Sequence, residues 1–298
     1  MSWIFIAILA HFFWAWVNVG DKYVVENKVK NPYVYMTWLA FLGVIAIFLI
    51  PFINLAIPSW SIFLWLVLLA LINFYSALPY IKAVTMEEIS RINIWWQLIP
   101  VFSLFIGWFA IGDRLNLNQI IALGILISGG ALASLHFKGK GIAFSKALPY
   151  MIVATLGYAV YGVLFRYITK FMPFSSAFVW FSLLGVLAPL PMFISKKFAG
   201  EFKNEIKNLK KGTAGTICGI AIFDNLGILL NVWALSLGAT ALVFAMEGWQ
   251  ILFVFIIASA ISVFYPKLLK EEMDARNLVL KLAALALMII GVVMVNLT

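Results

Sequence analysis

Long apolar stretches separated by short polar connections organise almost the whole chain. A helix needs about 20 apolar residues to cross the hydrocarbon core of a bilayer. Ten segments meet that need. They are Trp3–Gly20, Pro32–Ile53, Ser59–Ile81, Ile89–Ile111 and Leu117–Leu135 in the first half. Leu148–Tyr167, Phe174–Ile194, Thr213–Leu235, Ala239–Phe264 and Leu278–Val295 follow in the second. Strand-like alternation is absent, which argues against a transmembrane β-barrel. The first segment has no basic leader and no small-residue cleavage site after it, so it is expected to remain as a span. The connections are short apart from a lysine-rich stretch at Ser195–Lys211.

Composition sharpens this reading. Of 298 residues 64% are hydrophobic and 11% charged, against about a quarter charged in a soluble domain. A soluble globule needs a polar skin that this chain cannot supply. The +9 net charge would suit nucleic acid, but the basic residues lie between apolar runs and form no single patch. A lone cysteine, Cys218, excludes an intramolecular disulfide and a cysteine-rich metal site.

The halves echo each other. Trp38-Leu-Ala-Phe-Leu-Gly43-Val44 in the second span reads like Trp180-Phe-Ser-Leu-Leu-Gly185-Val186 in the seventh. Ala15, Val19, Lys22 and Tyr23 answer Ala159, Val163, Arg166 and Tyr167, and Trp96-Gln97-Leu98 answers Trp249-Gln250-Ile251. Five spans per repeat is an odd number, so the second copy must enter the membrane with opposite polarity. The expected fold class is therefore all-α integral membrane, with ten transmembrane helices as two inverted five-helix repeats over residues 1–137 and 146–298. Inverted repeats of this kind mark secondary transporters that expose one site alternately to each side.

With these motifs the chain resembles the drug/metabolite transporter superfamily, in its EamA-type ten-helix branch, over essentially its whole length. Family halves end their fourth helix in a Gly-Glu-Arg-Leu-like turn before a glycine-rich fifth helix. Gly112-Asp113-Arg114-Leu115 and then Gly124, Gly129 and Gly130 match, with Asp in place of Glu. The second half departs, with Lys270-Glu271-Glu272-Met273 before a helix holding only Gly291. A mid-helix proline in helix four is Pro100, and helix nine offers no counterpart at Leu252–Val254. The resemblance implies a central cavity lined by helices one, eight and nine among others, with five and ten peripheral. It implies export of amino acids or metabolites, or import of small nutrients such as choline.

The candidate chemistry lies in polar residues placed inside apolar spans. Of twelve acidic residues, only Asp224 and Glu247 are expected well inside a span, and His11 is the matching oddity in the first. An ionisable group there costs about 2.5–3.5 kcal/mol on insertion scales, so a cavity-facing role is the default. The structural alternatives are a carboxyl bonded to a neighbouring helix, a kink capped by Asp224 with Asn225, and a packing histidine. Asn18, Asn73, Asn93, Gln97, Asn231 and Gln250 can bond a substrate or join helices. Trp249 follows Glu247 by two residues, and Trp233 lies on the helix of Asp224. Aromatic faces beside a carboxylate make a cage for an organic ammonium through cation–π attraction. The candidate substrate-binding set is thus Glu247, Asp224, His11, Trp14, Trp249, Gln97, Gln250, Tyr80, Trp233 and Tyr158. The expected function is secondary active or facilitative transport of a small amine, cationic or zwitterionic, such as an amino acid or a choline-like compound.

No cofactor, metal or nucleic acid is expected. The partners are a small-molecule substrate and the lipid bilayer, with protons as a coupling ion through Glu247 or Asp224, since a desolvated carboxyl can gain and lose a proton at moderate pH. A monomer or homodimer in the cell (plasma or inner) membrane is expected. Lys22 and Arg166 are equivalent by repeat and can gate opposite mouths or simply snorkel. Glu87, Glu88 and Arg91 read as a solvated helix entrance. Charge counting puts 18 of the 21 Lys and Arg on the odd-numbered loops, leaving Arg114, Arg166 and Lys170. That places both termini outside, whereas the resemblance implies both inside; the charge count, which comes from this chain, is preferred. The competing class is an integral membrane enzyme acting on a lipid or prenyl substrate. It would call for clustered acids at one interface, while the acids outside the spans are scattered and His136 is isolated.

Overall fold

Backbone polar groups in hydrocarbon must be bonded within their own segment, which leaves the helix as the economical form for a long apolar run. The computed structural model describes residues 3–86, 92, 95–134, 146–264 and 275–297. Every regular element among them is helical. The first half comprises α1 (Trp3–Asn27), α2 (Pro32–Leu42), α3 (Trp60–Val84), α4 (Leu98–Ile111) and α5 (Leu117–Ser134). The second comprises α6 (Leu148–Ile168), α7 (Phe174–Gly185), α8 (Lys196–Lys207), α9 (Lys211–Leu237), α10 (Thr240–Ala245), α11 (Glu247–Phe264) and α12 (Ala275–Asn296).

Seven helical segments are long and apolar enough to cross a membrane: Trp3–Asn27, Pro32–Phe52, Trp60–Val84, Leu148–Ile168, Phe174–Ile194, Lys211–Leu237 and Thr240–Ile257. Three shorter apolar helices, Leu98–Ile111, Leu117–Leu132 and Val279–Val295, stand where the sequence predicts the other spans. The entrance of the fourth span with Glu87, Glu88 and Arg91, as well as Asn93, His136 and the Lys270–Met273 turn, lies outside the described residues.

Four expected spans differ in detail. The first does not end at Gly20 but runs on to Asn27. The second and seventh change character at equivalent glycines. After Gly43 the chain winds as a 3-10 helix over Gly43–Phe52, with Pro51 inside it. After Gly185 it passes through i→i+3 turns into a 3-10 segment at Leu190–Ile194, preceded by Pro189. Proline removes the donor that an α-helix needs, so both helices lose their regular ladder there. The ninth span is divided at Met246 into α10 and α11. Pro100 lies near the middle of the fourth span, in the first turn of α4 and just after a turn at Gln97, a position that requires no intrahelical N–H.

Helix starts are legible in side chains: the Asn31 carboxamide accepts from the Tyr33 amide at 2.8 Å with Pro32 at the first helical position of α2, and Ser59 and Ser195 cap α3 and α8. The helices pack across the two halves. α1 lies against α9 and α11, α3 against α6 and α7, α4 against α6 and α10, and α5 against α12. Without a hydrophobic drive between helices in lipid, small residues let backbones approach. A Cβ on Gly248 would stand 3.0 Å from the Cα of Gly130 and would strike Met288. Gly248→Val is expected to cost about 1–3 kcal/mol by overpacking, read as a lower melting temperature of the detergent-purified protein; an unchanged melting temperature would contradict this packing.

Candidate functional site

Side chains three and four apart on a helix share a face, and several helices turn such a face toward one cavity of about 210 Å³. α1 contributes Trp14, Val17, Asn18 and Asp21, and α9 contributes Asp224, Asn225 and Ile228. The divided ninth span supplies Phe244, Glu247 and Gln250. Gly43 and Gly185, where the second and seventh spans leave α-helical geometry, both lie in the wall. Neither α5 nor α12 contributes a described lining residue, in keeping with their peripheral packing on each other.

Three carboxyl groups face this space. Glu247 is 6% exposed and opens α11, whose N-terminal amides and dipole favour an acid there. None of the described residues hydrogen-bonds to it. Asp224 accepts a hydrogen bond from Trp14 Nε1 at 3.1 Å. Asp21 is 4% exposed and accepts from Tyr35 Oη at 2.5 Å. The sequence reading missed Asp21 because it ended the first span at Gly20; the signal that finds it is helical spacing, one turn beyond Asn18 and two beyond Trp14. No lysine, arginine or histidine occurs among the described lining residues.

Aromatic side chains fill the space between the carboxyls. Tyr80 donates to the Asn18 carboxamide at 3.1 Å, and its ring lies 5.0 Å from Trp96, which lies 5.5 Å from Tyr158. Two buried donors in the wall, Trp96 Nε1 and Tyr161 Oη, have no hydrogen-bond partner among the described residues.

Of the ten candidate residues, Glu247, Asp224, Trp14, Gln250, Tyr80 and Tyr158 line the cavity together. His11 stands one layer behind, its Nδ1 3.1 Å from the Gln250 carboxamide oxygen and its ring 5.3 Å from Trp14. Gln97 is buried beside Gly130 and outside the lining, with neither end of its amide bonded among the described residues. The two tryptophans read as a cage are elsewhere: Trp249 turns toward Phe253 and Trp233 stacks flat on Phe174 at 5.4 Å. A helix turns about 100° per residue, so a neighbour two positions from Glu247 faces away from it. The aromatic partners of the carboxyls come from other helices.

One end of the helix assembly is bridged by charge. Gly112 takes a left-handed conformation (φ 71°) that ends α4 and turns Asp113 back, its amide bonding Gly107 O at 3.0 Å. The Asp113 carboxylate then meets Arg166 Nε on α6 at 2.8 Å and the Thr240 amide at 3.3 Å. Arg166 Nη1 also donates to the carbonyls of Leu235, at 2.9 Å, and Gly238. Arg166 therefore does not snorkel; it ties the α4–α5 turn to α6 and to the α9–α10 connection. Lys22, which answers Arg166 in sequence, pairs with Glu26 on its own helix at 2.8 Å.

Comparison with known proteins agrees with this architecture. Residues 1–135 match the model of the EamA-like transporter family. No curated protein matches the chain. Among solved structures 28 chains match. One, described only as "Crystal structure of protein", is 12% identical with a TM-score of 0.68, over 99% of this chain and 96% of its own, and so shares the fold.

Tyr35→Phe removes the described donor to a buried carboxyl and is expected to cost about 1–3 kcal/mol, measured as a fall in thermal stability. Stability equal to wild type would show that Asp21 does not depend on this bond.

Proposed function

We propose that this chain, whose residues 1–135 match the EamA-like transporter family, is a member of the drug/metabolite transporter superfamily and moves a small organic ammonium, cationic or zwitterionic, by alternating access. Proteins of that type are membrane transporters. The observation that carries the choice of cargo is the cavity wall: Glu247, Asp224 and Asp21 with aromatic rings between them and no basic lining residue among those described. Such a wall offers an ammonium both carboxylate and π faces. The unpartnered Tyr161 hydroxyl and Trp96 indole N–H would meet an acceptor on the cargo, which favours a zwitterion or a hydroxylated amine over a purely apolar cation.

Alternating access draws support from packing. Exchanging each span of residues 1–137 with its counterpart in 146–298 turns α1 on α9 into α6 on α3, and α4 on α6 into α10 and α11 on α1. Ten spans in two inverted repeats account for that exchange. The latch of Arg166 to Asp113 closes one end of the assembly, as one of two alternating states would. In this reading substrate and proton compete at Glu247 or Asp224, in the cell membrane, with the lysine-rich loops inside. Neither the family match nor the cavity favours an enzyme acting on lipid.

Ligand binding to the folded state raises apparent stability by mass action. A panel of amines, amino acids, anions and neutral solutes is expected to contain ammonium compounds that raise the melting temperature, with Glu247→Gln or Asp224→Asn abolishing the rise. Stabilisation by anions alone, or unchanged in both variants, overturns the cargo assignment. Substrate flux into liposomes must leave the compound chemically intact. Separately, Asp113→Asn is expected to shift the balance of the two states; each ~1 kcal/mol of lost latch is about a fivefold change. It should lower the transport rate while ligand-induced stabilisation persists, and an unchanged rate would remove the latch from the cycle.

A further inference from the structure

α8 is the one described helix that is strongly amphipathic without being apolar overall, and its two faces have different partners. Phe198 and Phe202 turn inward, where Phe202 meets Phe41 of α2 at 6.0 Å and both contact Phe193. The helix's two acids are also taken up on the protein side. Glu201 accepts from Asn31 Nδ2 at 2.5 Å and Glu205 from the Lys30 amide at 2.9 Å, both in the α1–α2 connection.

The opposite face is left purely basic. Lys196, Lys203 and Lys207 share one stripe, at spacings of two and three helical turns, and all are exposed. Lys210 and Lys211 continue the charge into the start of α9 and are exposed too. None of these five lysines has an ion-pair partner among the described residues. Beside the stripe Ile206 is 50% exposed, and Ile194, at the end of the preceding span, is 85% exposed. α8 joins the end of one span to the start of the next, which sets it at the level where the membrane meets water.

We infer that the outer face of α8 is a binding surface for anionic phospholipid of the surrounding leaflet. The lysines meet headgroup phosphates while Ile206 and Ile194 reach the acyl boundary, as in helices that lie along a membrane surface. The matching acids cannot neutralise the stripe, because hydrogen bonds to Asn31 and the Lys30 amide hold them on the other face. Lipid engagement therefore also braces the α1–α2 connection, through the same helix.

The experiment compares the full chain, purified in detergent, after addition of phosphatidylcholine alone or phosphatidylcholine with phosphatidylglycerol. The anionic mixture is expected to raise the melting temperature above that in phosphatidylcholine. Added salt should diminish the difference, because exposed charges are screened. Lys196→Gln, Lys203→Gln and Lys207→Gln combined should abolish the difference, and the same three positions changed to Arg should keep it. A control carrying Lys28→Gln, Lys30→Gln and Lys82→Gln should retain it. Equal loss in the control and α8 variants, or a difference insensitive to salt and to the α8 substitutions, overturns the assignment. Should the glutamine variant show no folded transition, the salt response of the wild-type protein decides the matter.

Discussion

Placing a carboxyl inside a membrane-spanning protein carries a desolvation cost that the surrounding structure must offset. Much of the interior follows from how this chain meets that cost three times around one cavity. Asp21 receives the Tyr35 hydroxyl, Asp224 receives the Trp14 indole N–H, and Glu247 sits at the first turn of α11. The first two solutions tie α1 to α2 and α1 to α9, while Glu247 rests on the N-terminus of its own helix. The third acid has the least direct support. Its hydrogen-bonding capacity is open to the cavity among the described residues, whereas the other two are already partly satisfied.

A cavity in the middle of a helical bundle also needs room, and here the room comes from interruptions. Gly43 and Gly185 end regular α-helix at the cavity wall, and Met246 divides the ninth span beside Glu247. Irregular backbone at membrane depth is tolerated where it is buried in protein or lines a cavity. Gly248 does the opposite work, letting its backbone approach Gly130 and Met288 so closely that a Cβ would not fit beside Glu247. Breaks on one side and tight contacts on the other give the carboxyl a fixed position in an open space.

How much of this was legible depends on the range of the signal. Apolar runs are local, so the helices and most of their bounds could be read directly, as could the paired Trp…Gly motifs whose glycines mark both breaks. The ends of spans were harder. A polar residue near a boundary, such as Asp21, looks like the start of a loop when hydropathy alone is counted, although helical phase places it with Trp14 and Asn18. Neighbours across helices were not legible at all. Proximity in sequence suggested Trp249 for Glu247 and Trp233 for Asp224, yet helical rotation turned both away and supplied Trp14 from α1 instead.

The same logic explains why the Gly-Asp-Arg-Leu turn follows α4. Its acid could have been an ordinary solvated end, and nothing in its local sequence says otherwise. Folding brings it against Arg166, a residue whose repeat equivalent is Lys22, so a feature of one half is answered by a feature of the other. Guanidinium suits that position, because its planar fork reaches the Asp113 carboxylate and two backbone carbonyls at once, which an ammonium on a flexible stem cannot hold as firmly.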